Sequence, residues 1–317
     1  MTREFPFMPD PAAVAAIIVI YHPDQDFSQR LAALLAQLTR VVIVDNGSEE
    51  SCLSPLQPYL ADDNRVTIHR NETNLGIATA LNQGFRMLIA EGYRWVLTLD
   101  QDSIPATGMV AALCERLRAD PDPSRIAMVG ANRRDPVNPS AEHLWVRPKT
   151  SFPFFERVGC KRLDDRGTTA VITSGTLTST AVFEEIGPFR DELFIDLVDT
   201  EYCLRAHRAG YRIVGACGAN LVHRIGGTRT VSVLGIQIAA THHAPVRRYY
   251  LLRNSTILMG EYFRVSPHWI IYHGLVLGNL LLGSMLLERR KLATLRACCL
   301  GICDGIRRKL GPARHEF

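Results

Sequence analysis

The most constraining stretch of the sequence is residues 95–103, which read WVLTLDQDS. Large apolar and β-branched side chains lead directly into two carboxylates, Asp100 and Asp102, separated by one residue. This pattern predicts a buried parallel strand that ends in an acidic tip. Ligands bind beside the carboxyl ends of strands in open α/β sheets, so we expect a ligand at these carboxylates. The alternative interpretation is an Asp-rich turn without a ligand, because Asp side chains favour turns.

Strand, loop and helix alternate through the sequence before residue 100 and predict a doubly wound α/β sheet. Apolar runs at residues 14–21, 41–44 and 66–69 predict buried strands. Residues 27–39 and 76–90 have apolar side chains at helical spacing. The loop after the first strand reads HPDQD instead of GxGxxG, and the sequence contains no GxxxxGK[ST]. These absences argue against a dinucleotide site and against a P-loop.

The second half of the sequence is less regular. Residues 132–167 lack periodicity and are rich in Pro, Arg and aromatic side chains, as binding loops and lids often are. Residues 169–177 predict a strand with a tight turn at its Ser-Gly pair, and residues 196–209 predict a short helix that ends before Gly210.

The charge of the chain is unevenly distributed. The net charge is +4, whereas residues 289–317 contain eight Lys or Arg against two acids. The part before this tail is therefore slightly acidic, which argues against a nucleic-acid binder and makes the basic tail a separate feature.

The cysteine pattern favours a reducing, cytosolic setting. The eight cysteines include no CxxC pair, and the first eleven residues contain charged side chains instead of an apolar signal segment. Cys298, Cys299 and Cys303 lack paired metal spacing and predict a buried or membrane-facing apolar surface, with reversible acylation as the alternative.

An apolar stretch at residues 269–287 precedes the basic residues 289–291. Its length just reaches that of a spanning helix, but His273, Asn279 and three glycines dilute it. We therefore expect an interfacial helical hairpin on the cytoplasmic face of a membrane, with residues 292–310 as its second helix. The alternative is a helical cap on the rest of the protein or a dimer contact.

Seven short motifs follow one another along residues 15–254: IIVIYHPD, VVIVDNGS, NLGIATALNQG, WVLTLDQDS, VDTEYCLRAHRAGYRI, VHRIGG and YYLLRN. Their joint order resembles the family 2 glycosyltransferases of the GT-A fold, and among them bacterial rhamnosyltransferases of O-antigen or exopolysaccharide synthesis. The resemblance implies an α/β GT-A domain with a Rossmann-like mixed central sheet and helices on both faces, plus a C-terminal helical membrane-associating extension. We expect the catalytic domain at residues 1–230 and the helical region at 231–317, with residues 265–317 at the membrane.

The resemblance also implies an activity. Such enzymes transfer a sugar from a nucleotide diphosphate to a hydroxyl acceptor with inversion, using Mg²⁺ or Mn²⁺. We expect dTDP-L-rhamnose as donor and a saccharide or lipid-linked saccharide as acceptor, in polysaccharide or lipopolysaccharide synthesis at the cytoplasmic face of the inner membrane. Residues 132–167 are expected to govern acceptor choice. A UDP-sugar donor, nucleotidyl transfer and an inactive scaffold are the alternatives, and a homo-oligomer is left open.

The resemblance places the nucleoside against Tyr21 and Asp45. A carboxylate can accept a hydrogen bond from N3–H of uracil or thymine, although an Asx turn would also explain an Asp at this position. Asn74, Gly76 and Ala78 are expected to supply donors near the nucleotide at a helix N-terminus. The alternative for these three residues is a helix cap and a glycine turn.

The leaving diphosphate needs positive charge as the glycosidic bond breaks. By the same resemblance, Asp102 is expected as the first metal ligand, Asp100 as a group shared between metal and ribose, and His223 as an added imidazole ligand. Arg247 and Arg253 are expected to bind phosphate oxygens, with a solvated basic face as the alternative.

Inverting transfer needs one carboxylate to take the proton of the acceptor hydroxyl. Asp196, Asp199 and Glu201 compete for this role, and the resemblance assigns it to Asp199 with Glu201 next. The alternative for Asp199 is an acid that complements the helix dipole. The sequence departs from many relatives at Val198, where an acid often stands, and at residues 187–192, which are one residue longer.

Overall fold

The computed structural model describes residues 10–60, 64–134, 143–149, 151, 154–222, 228–233, 236–241, 244–287 and 290–317. The strands are β1 Val14–Ile20, β2 Val41–Asp45, β3 Val66–Arg70, β4 Trp95–Asp100, β5 Ile104–Pro105, β6 Ile126–Arg134, β7 Trp145–Pro148, β8 Phe155–Val158, β9 Thr176–Ser179, β10 Arg212–Val222, β11 Thr228–Val233 and β12 Ile236–Thr241. The α-helices are α1 Phe27–Leu35, α2 Gln57–Leu60, α3 Ile77–Ala90, α4 Met109–Arg118, α5 Thr180–Ile186, α6 Val198–Arg208, α7 Pro245–Tyr262, α8 Pro267–Leu287 and α9 Lys291–Ile306.

Most of the strands belong to one mixed sheet. In the described part of the chain, eight strands follow the order β3-β2-β1-β4-β9-β6-β10-β5. The strands β3, β2, β1 and β4 are parallel, β9 is antiparallel to both β4 and β6, and β10 is parallel to β6. This topology confirms the predicted α/β class with a mixed central sheet.

The apolar runs of the sequence become the core of the sheet. All seven residues of β1 are buried, because helices cover both faces of the strand. Phe27 of α1 and Leu113 of α4 belong to the core on one face. Phe85 of α3 and Tyr202 of α6 belong to the core on the other face. With both faces covered, the carboxyl ends of the parallel strands are the place where polar side chains gather.

The strand register brings the ends of three strands to one edge of the sheet. Ile20 at the end of β1 pairs with Asp45 at the end of β2, and Val19 pairs with Asp100 at the end of β4. The loops that follow these strands therefore begin side by side.

Two predicted elements are shorter than expected. The strand predicted at residues 169–177 is present only as β9, which begins at Thr176. Gly175, directly before it, has a φ of 76° and interrupts the extended path. The helix predicted at residues 196–209 begins at Val198, because Asp196 and Leu197 both have positive φ values. Both departures lie beside the candidate site.

The irregular segment at residues 132–167 contains an antiparallel hairpin formed by β7 and β8. Cys160 in this segment forms a disulfide with Cys217 of β10. This disulfide departs from the reducing setting that the cysteine pattern favoured. The pairing was not predicted, because 57 residues separate the two cysteines and their spacing carries no signal.

The C-terminal helices pack closely on one another and on the hairpin. A Cβ atom at Gly301 of α9 would lie 2.5 Å from the carbonyl oxygen of Tyr249 in α7, so the two helices touch at their backbones. The ring of Tyr272 in α8 contacts Phe155 of β8 at 5.1 Å between centroids. Within the described residues, the helices lack the combination of length and apolar character that a membrane crossing requires.

Candidate active site

A cleft of about 380 Å³ lies at the carboxyl edge of β1 and β4. Its walls come from the ends of these strands, the start of α3, the loop before α6 and the first turn of α7. The predicted site residues that line it are Tyr21, Asn74, Gly76, Asp100, Asp199 and Arg247. The structure therefore gathers side chains that lie far apart in the sequence.

Asp45 adopts the Asx-turn arrangement. The side chain is fully buried, and its Oδ1 accepts a hydrogen bond from the Ser48 amide at 3.0 Å. Its Oδ2 pairs with Arg70 Nε at 3.2 Å. Neighbouring Asn46, which the sequence analysis did not select, lines the cleft instead. Asp45 is not among the residues that line the cleft, and its contact with the nucleoside stays a prediction.

The N-terminus of α3 is already hydrogen-bonded within the protein. The amides of Leu75, Gly76 and Ile77 donate to protein oxygens at 2.8–3.0 Å. The oxygen that Gly76 reaches belongs to the side chain of Asn74, which thus shapes the loop. Ala78 is fully buried in the core beneath. Asn74 and Gly76 nevertheless line the cleft, and their contact with the nucleotide stays a prediction.

The acidic tip after β4 is held by two neighbouring segments. The amide of Asp100 donates to Ser174 Oγ at 3.0 Å. The side chain of Gln101 accepts from the Tyr21 amide at 2.8 Å and donates to the Tyr21 carbonyl at 3.2 Å. Gln101 also lines the cleft, a role that its position between two Asp residues could have signalled. Asp102 follows at an exposed position.

The two carboxylates of the acidic tip fit a divalent cation of the Mg²⁺ or Mn²⁺ type. Asp100 and Asp102 offer hard oxygen donors, and such cations share their coordination with substrate phosphates and water. The described residues contain no group of three or more His, Cys, Asp or Glu side chains that could hold a metal. His223, the predicted third ligand, lies outside the described residues.

The loop at residues 193–197 forms one wall of the cleft in a strained conformation. Phe194, Asp196 and Leu197 have φ values of 65°, 64° and 62°. Such values cost non-glycine residues roughly 1–3 kcal/mol each, so surrounding contacts must impose them.

Asn254 of α7 imposes this conformation. Its side-chain amide donates to the carbonyl oxygens of Leu193, Ile195 and Asp196 at 2.8–3.1 Å. Asn254 is fully buried, so these carbonyls have exchanged water for a single amide group. The 193–197 loop leads directly into α6, and Asn254 thereby fixes where that helix begins.

Arg253 supports the same loop and does not reach the cleft. It is fully buried, and its guanidinium donates to the carbonyl oxygens of Leu193 at 2.9 Å and Gly311 at 2.5 Å. The guanidinium also lies 4.9 Å from the ring centroid of Tyr250. The predicted phosphate contact of Arg253 is therefore not part of this arrangement, and we assign the residue to holding the loop.

Asp199 lies in the first turn of α6 and lines the cleft. Burial raises its pKa above the ordinary range, although hydrogen bonds from Thr200 and Thr173 act in the opposite direction. The Thr200 amide donates to Asp199 Oδ1 at 2.7 Å. A carboxylate with a raised pKa in a cleft has the properties of a general base.

The two competing acids are engaged elsewhere. Glu201 receives two hydrogen bonds from Arg205, at 2.9 and 3.1 Å, and one from the Tyr262 hydroxyl at 3.0 Å. Asp196 forms an ion pair with Arg247 across the cleft. The geometry therefore favours Asp199 over both for proton transfer.

Comparison with known proteins gives the family. Glycosyl transferase family 2 matches residues 15–187, which is more than half of the chain. The chain belongs to glycosyl transferase family 2. It is 30% identical over 321 residues to the dTDP-rhamnosyl transferase RfbF of Shigella flexneri, covering 96% of this chain and 98% of the relative. This protein is therefore a glycosyltransferase, with a homologue that is a dTDP-rhamnosyl transferase.

Solved structures of glycosyltransferases share the fold. GalNAc-T7 with UDP, GalNAc and Mn²⁺ matches with a TM-score of 0.54 and 15% identity, covering 78% of this chain and 49% of that one. S. aureus TarS matches at 0.50 and 15%, covering 95% and 49%, and its 1–349 fragment at 0.51 and 14%, covering 92% and 80%. This glycosyltransferase thus spans about half the length of the first two structures.

The role of Asn254 can be tested by stability. Asn254→Ala removes the side-chain donor from the carbonyls of Ile195 and Asp196, whereas Leu193 keeps its bond from Arg253, and should lower the free energy of unfolding by about 2–4 kcal/mol. The control is Thr256→Ala in the same helix, which loses a hydrogen bond to Leu252 and a methyl group beside Gly305, and should cost about 1 kcal/mol. Denaturant unfolding measures both. Equal losses in the two variants would show that Asn254 does not hold the loop.

Proposed function

We propose that this glycosyltransferase transfers L-rhamnose from dTDP-L-rhamnose, with inversion, to a saccharide or lipid-linked saccharide acceptor of a cell-surface polysaccharide. The observation that carries the proposal is the cleft in which half-buried Asp199 and the Asp100 carboxylate occur together. The identity of the donor rests on the near full-length likeness to a dTDP-rhamnosyl transferase. The catalytic domain would comprise residues 1–230, followed by the helical region at 231–317.

The donor is bound by groups around the mouth of the cleft. Tyr21 is 46% exposed, so its ring is available to stack on the nucleoside base. The guanidinium of Arg247 pairs with Asp196, and a diphosphate entering the cleft would compete for it. Asp100 and Asp102 would hold Mg²⁺ or Mn²⁺, which supplies neutralisation of the charge that develops on the leaving diphosphate.

Asp199 acts as the base. The acceptor oxygen forms a bond to the anomeric carbon while the bond from that carbon to the diphosphate oxygen breaks. The electron pair of the broken bond leaves with the diphosphate. The acceptor proton passes to Asp199. Attack from the face opposite the leaving group inverts the configuration of the anomeric carbon.

The donor is tested by thermal shifts with a panel of nucleotide-sugars, with and without Mn²⁺. A ligand at 100 times its Kd stabilises the native state by about 2.7 kcal/mol. We expect dTDP-L-rhamnose with Mn²⁺ to give the largest rise in Tm, and Asp102→Ala to remove the part that depends on Mn²⁺. A larger rise with a UDP-sugar would favour the UDP-dependent alternative. No rise with any nucleotide-sugar would favour the inactive scaffold.

The base is tested by Asp199→Asn. The variant keeps the size and an acceptor oxygen but cannot take the proton, so kcat should fall by about 10²-fold or more while donor affinity is retained. When the pH is lowered, kcat/KM of the wild type should begin to fall at a pH above the ordinary Asp pKa of about 3.9, because the pKa of Asp199 is raised. Normal kcat in Asp199→Asn with loss in Glu201→Gln would transfer the role to Glu201.

The same variant also has a consequence for stability. A carboxyl whose folded pKa is raised contributes stability below its unfolded pKa and loses that contribution as the pH rises through the folded pKa. The stability of Asp199→Asn relative to wild type should therefore increase as the pH rises through that range. Unfolding measured from pH 4 to pH 8 gives this difference. A constant difference would show that the pKa of Asp199 is not raised in the folded protein.

We also propose that the protein binds the cytoplasmic face of the inner membrane through α9. The outward face of this helix carries Leu292, Leu295, Ile302 and Ile306, which are 83%, 45%, 38% and 71% exposed. Their spacing of three, seven and four residues places them on one side of a helix. The buried side, in contrast, consists of small or polar residues: Thr294, Ala297, Cys298, Gly301, Asp304 and Gly305.

Basic side chains accompany this apolar face. Lys291 and Arg296 are exposed in the first half of α9, and Arg307, Arg308 and Lys309 are exposed where the helix ends. An apolar stripe with basic ends is complementary to an interface of acyl chains and anionic head groups. This charge distribution favours a membrane over a second copy of the protein, which would bring like charges together.

The membrane proposal is tested by co-sedimentation with vesicles that contain phosphatidylglycerol. Replacing the four outward residues Leu292, Leu295, Ile302 and Ile306 by Ser should reduce the bound fraction at least tenfold, because most of the apolar area is lost. Ile104→Ser on β5, which removes another exposed side chain, is the control and should bind normally. Undiminished binding of the fourfold variant would refute the proposal. Conversion of a wild-type dimer to a monomer would identify the stripe as a self-association face.

A further inference from the structure

A second cavity of about 260 Å³ shares a wall with the cleft. Thr173 and Asp199 line the cleft, whereas the next residue of each segment, Ser174 and Thr200, lines the second cavity. The two spaces are therefore separated by the thickness of two chain segments. One of these segments carries the proposed base.

The second cavity is aromatic and nearly uncharged. His143, Trp145, Trp269, Tyr272 and His273 line it. Burial lowers the pKa of both histidines to about 4, and two nearby arginines add to this shift for His143, so both are neutral at pH 7. A cavity lined by aromatic rings and neutral hydrogen-bonding groups suits an uncharged ligand that carries hydroxyl groups.

The charge distribution distinguishes the two spaces. The cleft contains Asp100, Asp196, Asp199 and Arg247, whereas Arg133 is the charged residue among those lining the second cavity. A nucleoside diphosphate requires cations and metal-binding carboxylates, which only the cleft offers within the described residues. The volume of the second cavity also lies below the roughly 300–1,000 Å³ of sites for larger ligands, so it suits a single sugar unit.

Trp145, which lines the second cavity, carries a buried polar group without a partner in the described part of the chain. Trp145 is 3% exposed, and among the described residues its Nε1 is one of the few buried donors without a hydrogen bond. An unpaired buried donor costs about 1–3 kcal/mol, and buried indole N–H groups usually have a partner. A hydroxyl oxygen of a bound sugar would supply the missing acceptor.

Helix α8 contributes a wall of this cavity although it lies outside the family match at residues 15–187. The ring of His273 stacks on Trp269 at 4.8 Å between centroids, and its Nε2 lies 2.9 Å from Ser255 Oγ of α7. These contacts hold the aromatic side chains of α8 against α7. The first turns of the predicted membrane stretch thus line the second cavity.

We propose that the second cavity binds a neutral sugar unit of the acceptor. The aromatic side chains pack against the sugar ring, Trp145 Nε1 donates to one of its hydroxyls, and the reacting hydroxyl reaches Asp199 over the wall at Thr173 and Thr200. This assignment rests on the proposed function, because it takes the neighbouring cleft as the donor site. It also assigns acceptor selection jointly to α8 and to the segment at residues 132–167.

Binding is tested by ¹H–¹⁵N spectra of the tryptophan indoles in the intact protein. The chain contains three Trp residues, and two of them, Trp145 and Trp269, line the second cavity. Trp95 belongs to the core and is an internal control. Methyl glycosides of L-rhamnose, D-galactose, D-glucose and N-acetyl-D-glucosamine are the probes. We expect at least one to shift the signals of Trp145 and Trp269 and to leave Trp95 unchanged. No shift with any of the four overturns the proposal.

A pair of variants tests the role of the cavity in transfer. Tyr272→Ala should raise KM for a glycoside acceptor about tenfold and leave the thermal shift with donor unchanged. Phe263→Ala removes a 65% exposed ring outside the cavity and should change neither quantity. An unchanged acceptor KM in Tyr272→Ala, or an equal loss of donor binding, contradicts the assignment.

These outcomes separate the two proposals. If no nucleotide-sugar stabilises the protein while glycosides still shift the two indoles, the proposed function fails and a sugar site remains. If nucleotide-sugars bind and no glycoside reaches the indoles, the donor site stands and the second cavity is not the acceptor site.

Discussion

Three hydrogen bonds from the side chain of Asn254 determine how the candidate active site is built. They hold the 193–197 loop with three non-glycine residues at positive φ, a conformation that the loop would not adopt without an external donor. Arg253 contributes further bonds to the same backbone. Because α6 starts at the end of this loop, the position of Asp199 depends on a residue that does not line the cleft. The C-terminal helical region is in this sense part of the catalytic unit.

The parts of the fold that the sequence predicted follow from strong local patterns. Continuous apolar runs identified β1, β2 and β4, and the parallel register then brought Asp100 to the edge where ligands bind. The resemblance of ordered motifs identified the family and selected Asp199, which the cleft contains. Each of these predictions depends on a few adjacent residues whose pattern has one dominant structural solution.

The site residues whose roles stay predictions are side chains with two possible partners. Asp45 and Asn74 carry groups that suit a nucleotide as well as a turn, and sequence does not show which partner is nearer. The backbone amides at the start of α3 are taken by Asn46, Asn74 and the 193–197 loop. The sequence suggests Arg253 as a phosphate ligand, whereas in the structure it is fully buried and donates to the Leu193 carbonyl. Most of these choices are made by contacts between separate segments of the chain, such as that of Asp45 with Arg70 and that of Arg253 with Leu193.

The C-terminal helices reconcile two interpretations that the sequence left as alternatives. The first turns of α8 pack on the catalytic body and line the second cavity, as a helical cap would. Helix α9 uses glycines to approach α7 and directs its large apolar residues outward, as an interfacial helix would. The two roles thus fall to different helices: Trp269, Tyr272 and His273 of α8 form a wall of the second cavity, whereas α9 carries the exposed apolar stripe. A lipid-linked acceptor would present its sugar to that wall while α9 rests on the surface that holds its lipid.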